Sequence, residues 1–320
     1  MTMKSWRIAA VLALTAMAAW TLPARGQSLG VYDDFSSGQL DPVLWYGYEY
    51  VVDGTSTRAV AVGSGLIDYP SDEGFFGPKD LESTRGVIGG QAQITLASDK
   101  RSGFSSQYTQ GAGRSGLRIN HPALADHSPA ITTLRATVKV AEASVPAVDC
   151  LGKQNAANAQ LFGHFFNDGT SGGSADLTGD VQALVKLERR VESTTSGPVV
   201  RNVIEASLFR CNAADCRYIK PVAAATFART WTVGASHVVA IVWRPGSNAF
   251  TFSVSGGGLS GESRTIGYTM ADTVPPRGFA YDLRVETRGG FCGPAAPQRV
   301  SIDARYDNVQ LDITAAAAAR

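Results

Sequence analysis

The chain has 320 residues, of which 44% are hydrophobic, 18% are charged and 9% are aromatic. This composition excludes a disordered chain, which would be poorer in apolar residues, and 34 glycines without a period of three exclude a collagen-like chain. The formal net charge is +1, and this near neutrality argues against nucleic acid as the main partner.

The first 26 residues have the pattern of a secretory signal peptide. Two basic residues precede an apolar, uncharged run over 8–22, and the small residues Ala24 and Gly26 precede a cleavage point before Gln27. A transmembrane anchor is the alternative, but this run has 15 residues, whereas a bilayer span needs about 20. We predict a secreted or periplasmic protein that does not span a membrane.

The segment 45–50 carries three tyrosines at alternate positions, which a strand would place on one face. Such a face would stack against pyranose rings with its hydroxyl groups available for hydrogen bonds, so Tyr46 and Tyr48 are candidate ligand-binding residues. The alternative is a core face that packs under an opposite sheet, which is favoured because aromatic strand residues are usually half-buried.

His164 lies in an apparent strand over 161–166. With Lys186, Glu188 and Arg190 it would form a site like that of a polyanion lyase, where a cation neutralises a uronate and a histidine abstracts a proton. The simpler interpretation is an inert, hydrogen-bonded histidine at the edge of the core, because no partner is adjacent to it in sequence.

Two predicted strands carry acidic residues that share a face with an arginine between them: Glu188, Arg190 and Glu192 in one, and Asp282, Arg284 and Glu286 in the other. Interleaved opposite charges are typical of a solvated or salt-paired strand face. An arginine there keeps both carboxylates ionised, whereas glycoside hydrolysis needs one carboxyl with a raised pKa. Glu188 and Glu286 are therefore weak catalytic candidates, like His164, and the basic residues Lys186, Arg190 and Arg284 are candidates for ligand binding.

Four cysteines remain in the mature chain, an even number that predicts disulfides in an oxidising compartment. Cys211 and Cys216 flank a turn-rich tetrapeptide, so two strands joined by that turn would bring them together. Cys150 and Cys292 would form the second bridge. A metal site is the alternative, but the C-x4-C spacing differs from the C-x2-C of zinc sites.

Alternating apolar residues and glycine-rich turns predict a single all-β domain over 27–314, a two-sheet sandwich or barrel, followed by an alanine-rich tail over 315–320. The clearest hairpin joins 238–243 to 250–254 through a turn that contains Pro245, Gly246 and Asn248. The other alternating runs are 134–140, 183–191 and 281–286.

Both ends of the predicted domain over 27–314 resemble the concanavalin A-like lectin/glucanase superfamily, including its laminin G-like and laminarinase-like members. The segment 33–42 followed by Trp45 is similar to its opening strand and "Gly-x-Leu-Asp" turn. The segment 302–311 resembles its closing strand, and 240–243 with 250–252 resembles its "I-x-W … F-x-F" hairpin. The resemblance implies an antiparallel jelly-roll in which the first and last strands pair.

The resemblance also implies a structural calcium ion where the first and last strands meet, with Asp34 and Asp307 as the matching ligands. Calcium takes six to eight oxygen ligands, so carbonyl groups or waters would have to complete the site. The alternative is that Asp34 only solvates an exposed strand start and Asp307 caps a turn.

Three classes of function follow. A secreted module of lectin or matrix type would bind a carbohydrate, a cell-surface glycan or another extracellular surface without catalysis. A divergent polysaccharide-degrading enzyme, a glycoside hydrolase or a lyase, is the alternative, and a structural envelope protein is a third. The laminarinase-like relatives carry their carboxylates as Glu-x-Asp-x-x-Glu, and this motif is missing from the sequence, which favours the first class.

Overall fold

The computed structural model describes residues 29–51, 56–60, 67–70, 81–99, 110–120, 131–148, 155–173, 175–216, 218–278, 281–290 and 299–312. The predicted leader, the alanine-rich tail, Cys150 and Cys292 lie outside these ranges. The described residues form seventeen β-strands. None of their elements is a helix that could cross a bilayer.

The strands of the first half are β1 (Gly30–Asp33), β2 (Trp45–Val51), β3 (Ser56–Val60), β4 (Ile67–Pro70), β5 (Leu81–Ile88), β6 (Gln91–Asp99), β7 (Gln110–Ile119) and β8 (Thr133–Ser144). The strands of the second half are β9 (Ala156–Asn167), β10 (Asp180–Thr194), β11 (Gly197–Cys211), β12 (Ile219–Thr226), β13 (Ser236–Arg244), β14 (Ala249–Gly256), β15 (Leu259–Gly267), β16 (Tyr281–Gly290) and β17 (Arg299–Leu311).

The strands form two antiparallel sheets. The nine-stranded sheet has the order β15-β14-β13-β8-β17-β6-β5-β4, and β1 also pairs with β17. The eight-stranded sheet has the order β12-β11-β10-β9-β16-β7-β2-β3. Every described pairing is antiparallel. This is the two-sheet antiparallel jelly-roll that the sequence predicted.

The first and last described strands pair, which confirms the prediction drawn from the resemblance. Gly30 lies opposite Leu311 and Asp33 lies opposite Val309. Asp33 also fixes the following strand, because the indole Nε1 of Trp45 donates to its Oδ2 at 2.6 Å. Trp45 is 1% exposed and stacks on Phe35, with ring centroids 5.5 Å apart.

The hairpin of β13 and β14 is also confirmed, with Ile241 opposite Phe252. Its turn contains Gly246 at φ 74° and Asn248 at φ 49°, a left-handed conformation that glycine and asparagine tolerate best. Phe250 of this hairpin packs edge-on against Phe165 of β9 at a centroid distance of 5.1 Å. Aromatic contacts of this kind hold the two sheets together.

Candidate functional site

One face of the eight-stranded sheet is the candidate site, and we call it the outer face. Along β9 the side chains of Ala157, Ala159 and Leu161 belong to the hydrophobic core between the sheets. Asn158 and Gln160 alternate with them and therefore point to the other side. The outer face is the surface formed by these polar side chains and by their neighbours on the adjoining strands.

The strand register arranges the outer face in rows. Asn158 lies between Glu188 of β10 and Glu286 of β16, and Arg114 of β7 follows Glu286. One neighbouring row contains Glu205, Lys186, Gln160 and Arg284, and the other contains Arg201, Arg190, Ala156 and Arg288. A fourth row contains Leu184, Phe162, Asp282, Arg118 and Tyr46.

Glu188 is held by two cations of its own strand. The Lys186 ammonium lies 3.0 Å from Glu188 Oε1, and the Arg190 guanidinium lies 3.1 Å from Glu188 Oε2. Both cations also contact Glu205, each at 3.3 Å. Arg190 further pairs with Glu192 at 2.9 Å. The salt-paired strand face predicted from the interleaved charges is therefore present, although Glu188 is buried rather than solvated, at 2% exposure.

Glu286 is held by two arginines that were not predicted from the sequence as site residues. Arg114 lies 2.7 Å from its Oε2, and Arg288 lies 2.8 Å from its Oε1. Arg288 also reaches to 4.0 Å from Glu188, so its guanidinium bridges the carboxylates on both sides of Asn158. Burial acts to raise the pKa of Glu286, but the charges of Arg114 and Arg288 outweigh it and hold that pKa well below its usual range.

Arg284 stands at the start of a chain of hydrogen bonds through side-chain amides. Its Nε donates to Gln160 Oε1 at 2.6 Å. The Gln160 amide in turn donates to Asn158 Oδ1. The Arg284 guanidinium also lies over the ring of Phe162, 3.8 Å from the centroid, which is a cation–π contact. Of this group, only Arg284 was predicted from the sequence as a site residue.

His164 is buried, and both of its ring nitrogens have partners. Nδ1 lies 3.0 Å from Asp180 Oδ2, and Nε2 lies 2.9 Å from the amide nitrogen of Gln182. Asp180 also accepts from the backbone nitrogens of Arg277 and Gly278, which fixes its position. This arrangement matches the inert, hydrogen-bonded histidine that the sequence favoured, because no ring nitrogen remains to abstract a proton.

Tyr46 lies on the outer face, not in the core. Tyr46 is 36% exposed, while Trp45 before it is buried. Tyr46 is opposite Arg118, which pairs with the buried Asp282 at 3.1 Å. Tyr48 lies opposite Gly116 in the same strand pair. The core interpretation of the tyrosine face is therefore wrong for Tyr46.

The predicted bridge between Cys211 and Cys216 is present, with the two Cα atoms 4.7 Å apart. The amide nitrogen of Gln182 lies 3.0 Å from the Cys216 sulfur and 3.4 Å from the Cys211 sulfur. The disulfide therefore supports the side chain that contacts His164. The second predicted bridge, between Cys150 and Cys292, lies outside the described residues and stays a prediction.

The calcium site stays a prediction as well. Asp34 accepts a hydrogen bond from the Ser36 backbone at 3.0 Å, and Asp307 accepts one from the Asn308 backbone at 2.6 Å. Both are local turn contacts of the kind that the alternative interpretation expects. Within the part of the chain that the structure describes, no three acidic, histidine or cysteine side chains are grouped as metal ligands.

Five residues of the outer face were not predicted from the sequence: Asn158, Gln160, Arg114, Arg118 and Arg288. A signal for the first two was present, because they alternate with small and apolar residues in the segment 156–161. Arg288 also had a signal, because it continues the alternation of Arg284 and Glu286 along β16. Arg114 and Arg118 carry no local signal, because they join the site through the pairing of β7 with β16, strands that are far apart in sequence.

No protein-family model and no curated protein matches the sequence. Several solved structures are similar. The alginate lyase from Klebsiella pneumoniae is 9% identical, with a TM-score of 0.38, and the match covers 84% of this chain and 95% of that one. Lectin I from Ulex europaeus is 12% identical, with a TM-score of 0.33, and the match covers 78% of this chain and 100% of that one. The alginate lyase from Aplysia kurodai is 12% identical, with a TM-score of 0.33, and the match covers 68% of this chain and 82% of that one. The strand order and register, rather than these low scores, define the fold.

Proposed function

We propose that the protein is a secreted module that binds a glycan on its outer face without cleaving it. The observation that carries the proposal is the placement of polar rows and the exposed Tyr46 on one sheet face. Fixed amides and charged groups supply directed hydrogen bonds to sugar hydroxyls, and an aromatic ring supplies a stacking surface. The predicted leader over 1–26 supports secretion.

The chemistry of the candidate catalytic groups supports binding rather than cleavage. Glycoside hydrolysis needs a carboxylic acid that can give up a proton near neutral pH. The arginines beside Glu286 lower its pKa, so it is ionised under those conditions. Each oxygen of Glu188 faces a cation, and His164 has partners on both nitrogens.

Titration calorimetry of the mature protein against soluble polysaccharides tests the proposal. We expect Tyr46→Ala to weaken binding about three- to tenfold, because the stacking surface is lost. Tyr218→Ala is the matched control, since Tyr218 is 69% exposed and lies beside β12 at the far edge of the sheet. If neither variant alters binding, or if no polysaccharide binds, the proposal is wrong.

A cleavage assay distinguishes the module from an enzyme. The mature protein is incubated with each bound polysaccharide, and new reducing ends and unsaturated uronate ends are measured. We expect neither product to exceed that of the protein-free control. Turnover that is lost in Glu286→Gln or in a His164 variant would overturn the non-catalytic assignment and favour the degrading enzyme.

A further inference from the structure

The hydrogen bonds at the centre of the outer face have a fixed direction. A guanidinium only donates, so Arg284 orients Gln160 with its oxygen towards the arginine. The Gln160 amide nitrogen then faces Asn158 and donates to its oxygen. The chain of donors therefore ends at the Asn158 amide nitrogen, Nδ2.

This last donor has no hydrogen-bond partner among the described residues, although the Asn158 side chain is 0% exposed. A buried donor without an acceptor costs free energy, and native structures rarely keep one without a reason. The arrangement presents an amide group that is ready to donate to an acceptor supplied by a ligand.

The neighbouring carboxylates do not serve as that acceptor. In the row of Asn158, the two oxygens of Glu188 face Lys186 and Arg190. The two oxygens of Glu286 face Arg288 and Arg114. All four oxygens are thus directed to cations, and the Asn158 amide is left between two carboxylates that are already engaged.

The surrounding charge favours an acceptor that is an anion. The row of Asn158, the two rows beside it and their ion-pair partners hold six cations and four carboxylates among the described residues. This surplus of two positive charges includes the half-exposed Arg201 and Arg288, and it attracts an anionic group. The bridging Arg288 has a 39% exposed side chain, so a ligand in solvent can contact its guanidinium.

We propose that Asn158, with Arg288 and Lys186, binds an anionic group of the glycan, either the carboxylate of a uronic acid or a sulfate ester. This inference rests on the proposed function and adds the chemical class of the ligand. The Asn158 amide donates to an oxygen of the anion, and the two cations supply charge-assisted hydrogen bonds.

Two matched ligand pairs test the class of ligand by calorimetry. Polygalacturonate is compared with its fully methyl-esterified form, and dextran sulfate is compared with dextran. We expect the charged member of at least one pair to bind at least tenfold more tightly than its neutral partner, and the pair that shows this identifies carboxylate or sulfate. Equal binding of charged and neutral members overturns the inference and leaves the proposed function intact, whereas no binding of any glycan overturns both.

The variant Asn158→Asp tests whether the Asn158 amide contacts the anion. It keeps the oxygen that accepts from Gln160 and replaces the amide nitrogen, a donor, with a second oxygen, an acceptor. We expect the charged glycan to bind about tenfold or more weakly, as for the loss of a hydrogen bond to a charged group. Asn212→Asp is the control: it makes the same charge change at an exposed residue that accepts from Arg210.

Thermal melting of each variant checks that it is folded. If Asn158→Asp does not fold, Asn158→Ser replaces it, since the shorter hydroxyl stays neutral and cannot reach the anion. Unchanged affinity in the folded Asn158 variant, or an equal loss in Asn212→Asp, overturns the inference.

Discussion

Glu286 shows how a single charge on the outer face affects stability. Its side chain is 7% exposed and lies between Arg114 and Arg288. We expect Glu286→Gln to lower the free energy of unfolding at pH 7 by about 3 kcal/mol, because two cations lose their counter-charge in a buried setting. Urea unfolding measures this change. Glu142→Gln, at an exposed position of β8, is the control and should change stability little.

The effect of Glu286→Gln depends on pH in a direction that follows from its pKa. The folded-state pKa is lowered, so the stabilisation is present above the unfolded pKa of about 4.3 and is lost as the pH falls further. The difference in stability between the wild type and the variant should therefore begin to narrow as the pH falls below about 4.3 towards 3. A difference that stays constant over this range would show that the ion pairs are not its source.

His237 gives a second pH dependence at the level of one residue. Its side chain is 0% exposed, and burial lowers its pKa, although backbone groups of Thr232 and Gly256 act in the opposite direction. The stabilisation is full above the unfolded pKa of about 6.5 and falls as the pH drops towards the folded value. We expect His237→Gln to flatten the unfolding free energy between pH 7 and 5, as measured by urea denaturation. An unchanged slope would contradict this expectation.

At the level of elements, β9 and β16 approach closely at Gly163. A Cβ atom there would lie 2.5 Å from the Tyr281 ring and 3.0 Å from the Phe165 ring. We expect Gly163→Ala to destabilise the protein by about 1–3 kcal/mol, as overpacking of a core does. Gly173→Ala is the matched control, because nothing lies within 4 Å of its Cβ position. Equal chemical-denaturation midpoints for the two variants would contradict this account.

The disulfide between Cys211 and Cys216 closes the turn that joins β11 to β12. In the chain-entropy model a loop of this size stabilises by about 2 kcal/mol. The double variant Cys211→Ser with Cys216→Ser should lose that amount in urea unfolding. Its His164 resonances should also shift in NMR spectra, since Gln182 contacts both the sulfurs and the imidazole. A variant with the stability of the wild type would show that the bridge adds nothing.

Elements that are determined by a short stretch of sequence could be predicted, whereas contacts between strands that are distant in sequence could not. The β13–β14 hairpin follows from Gly246 and Asn248 between two alternating runs. The row of Glu188, Asn158 and Glu286 depends on the register of three strands that the sequence separates widely. A shift of one residue in either pairing would move each partner to the opposite face, and local periodicity does not set that register.

At the scale of the molecule, the last described strand is central to the fold. β17 lies between β8 and β6 in the nine-stranded sheet and also pairs with β1. We expect removal of residues 299–320 to abolish cooperative unfolding, because three strands lose a partner and the core loses Tyr306 and Ile302. Circular dichroism during thermal denaturation measures this. A sharp transition in the truncated chain would show that the remaining strands fold alone.

The central place of β17 also determines when the protein can fold during its own synthesis. A ribosome makes the chain from its amino end, so β1, β6 and β8 emerge well before the strand that joins them. Pairings between β1 and β17 close a loop of nearly the whole described chain, and such distant contacts form slowly. The nascent polypeptide therefore lacks its native nine-stranded sheet until β17 has been synthesised, and in that interval chaperones have access to the uncovered strands.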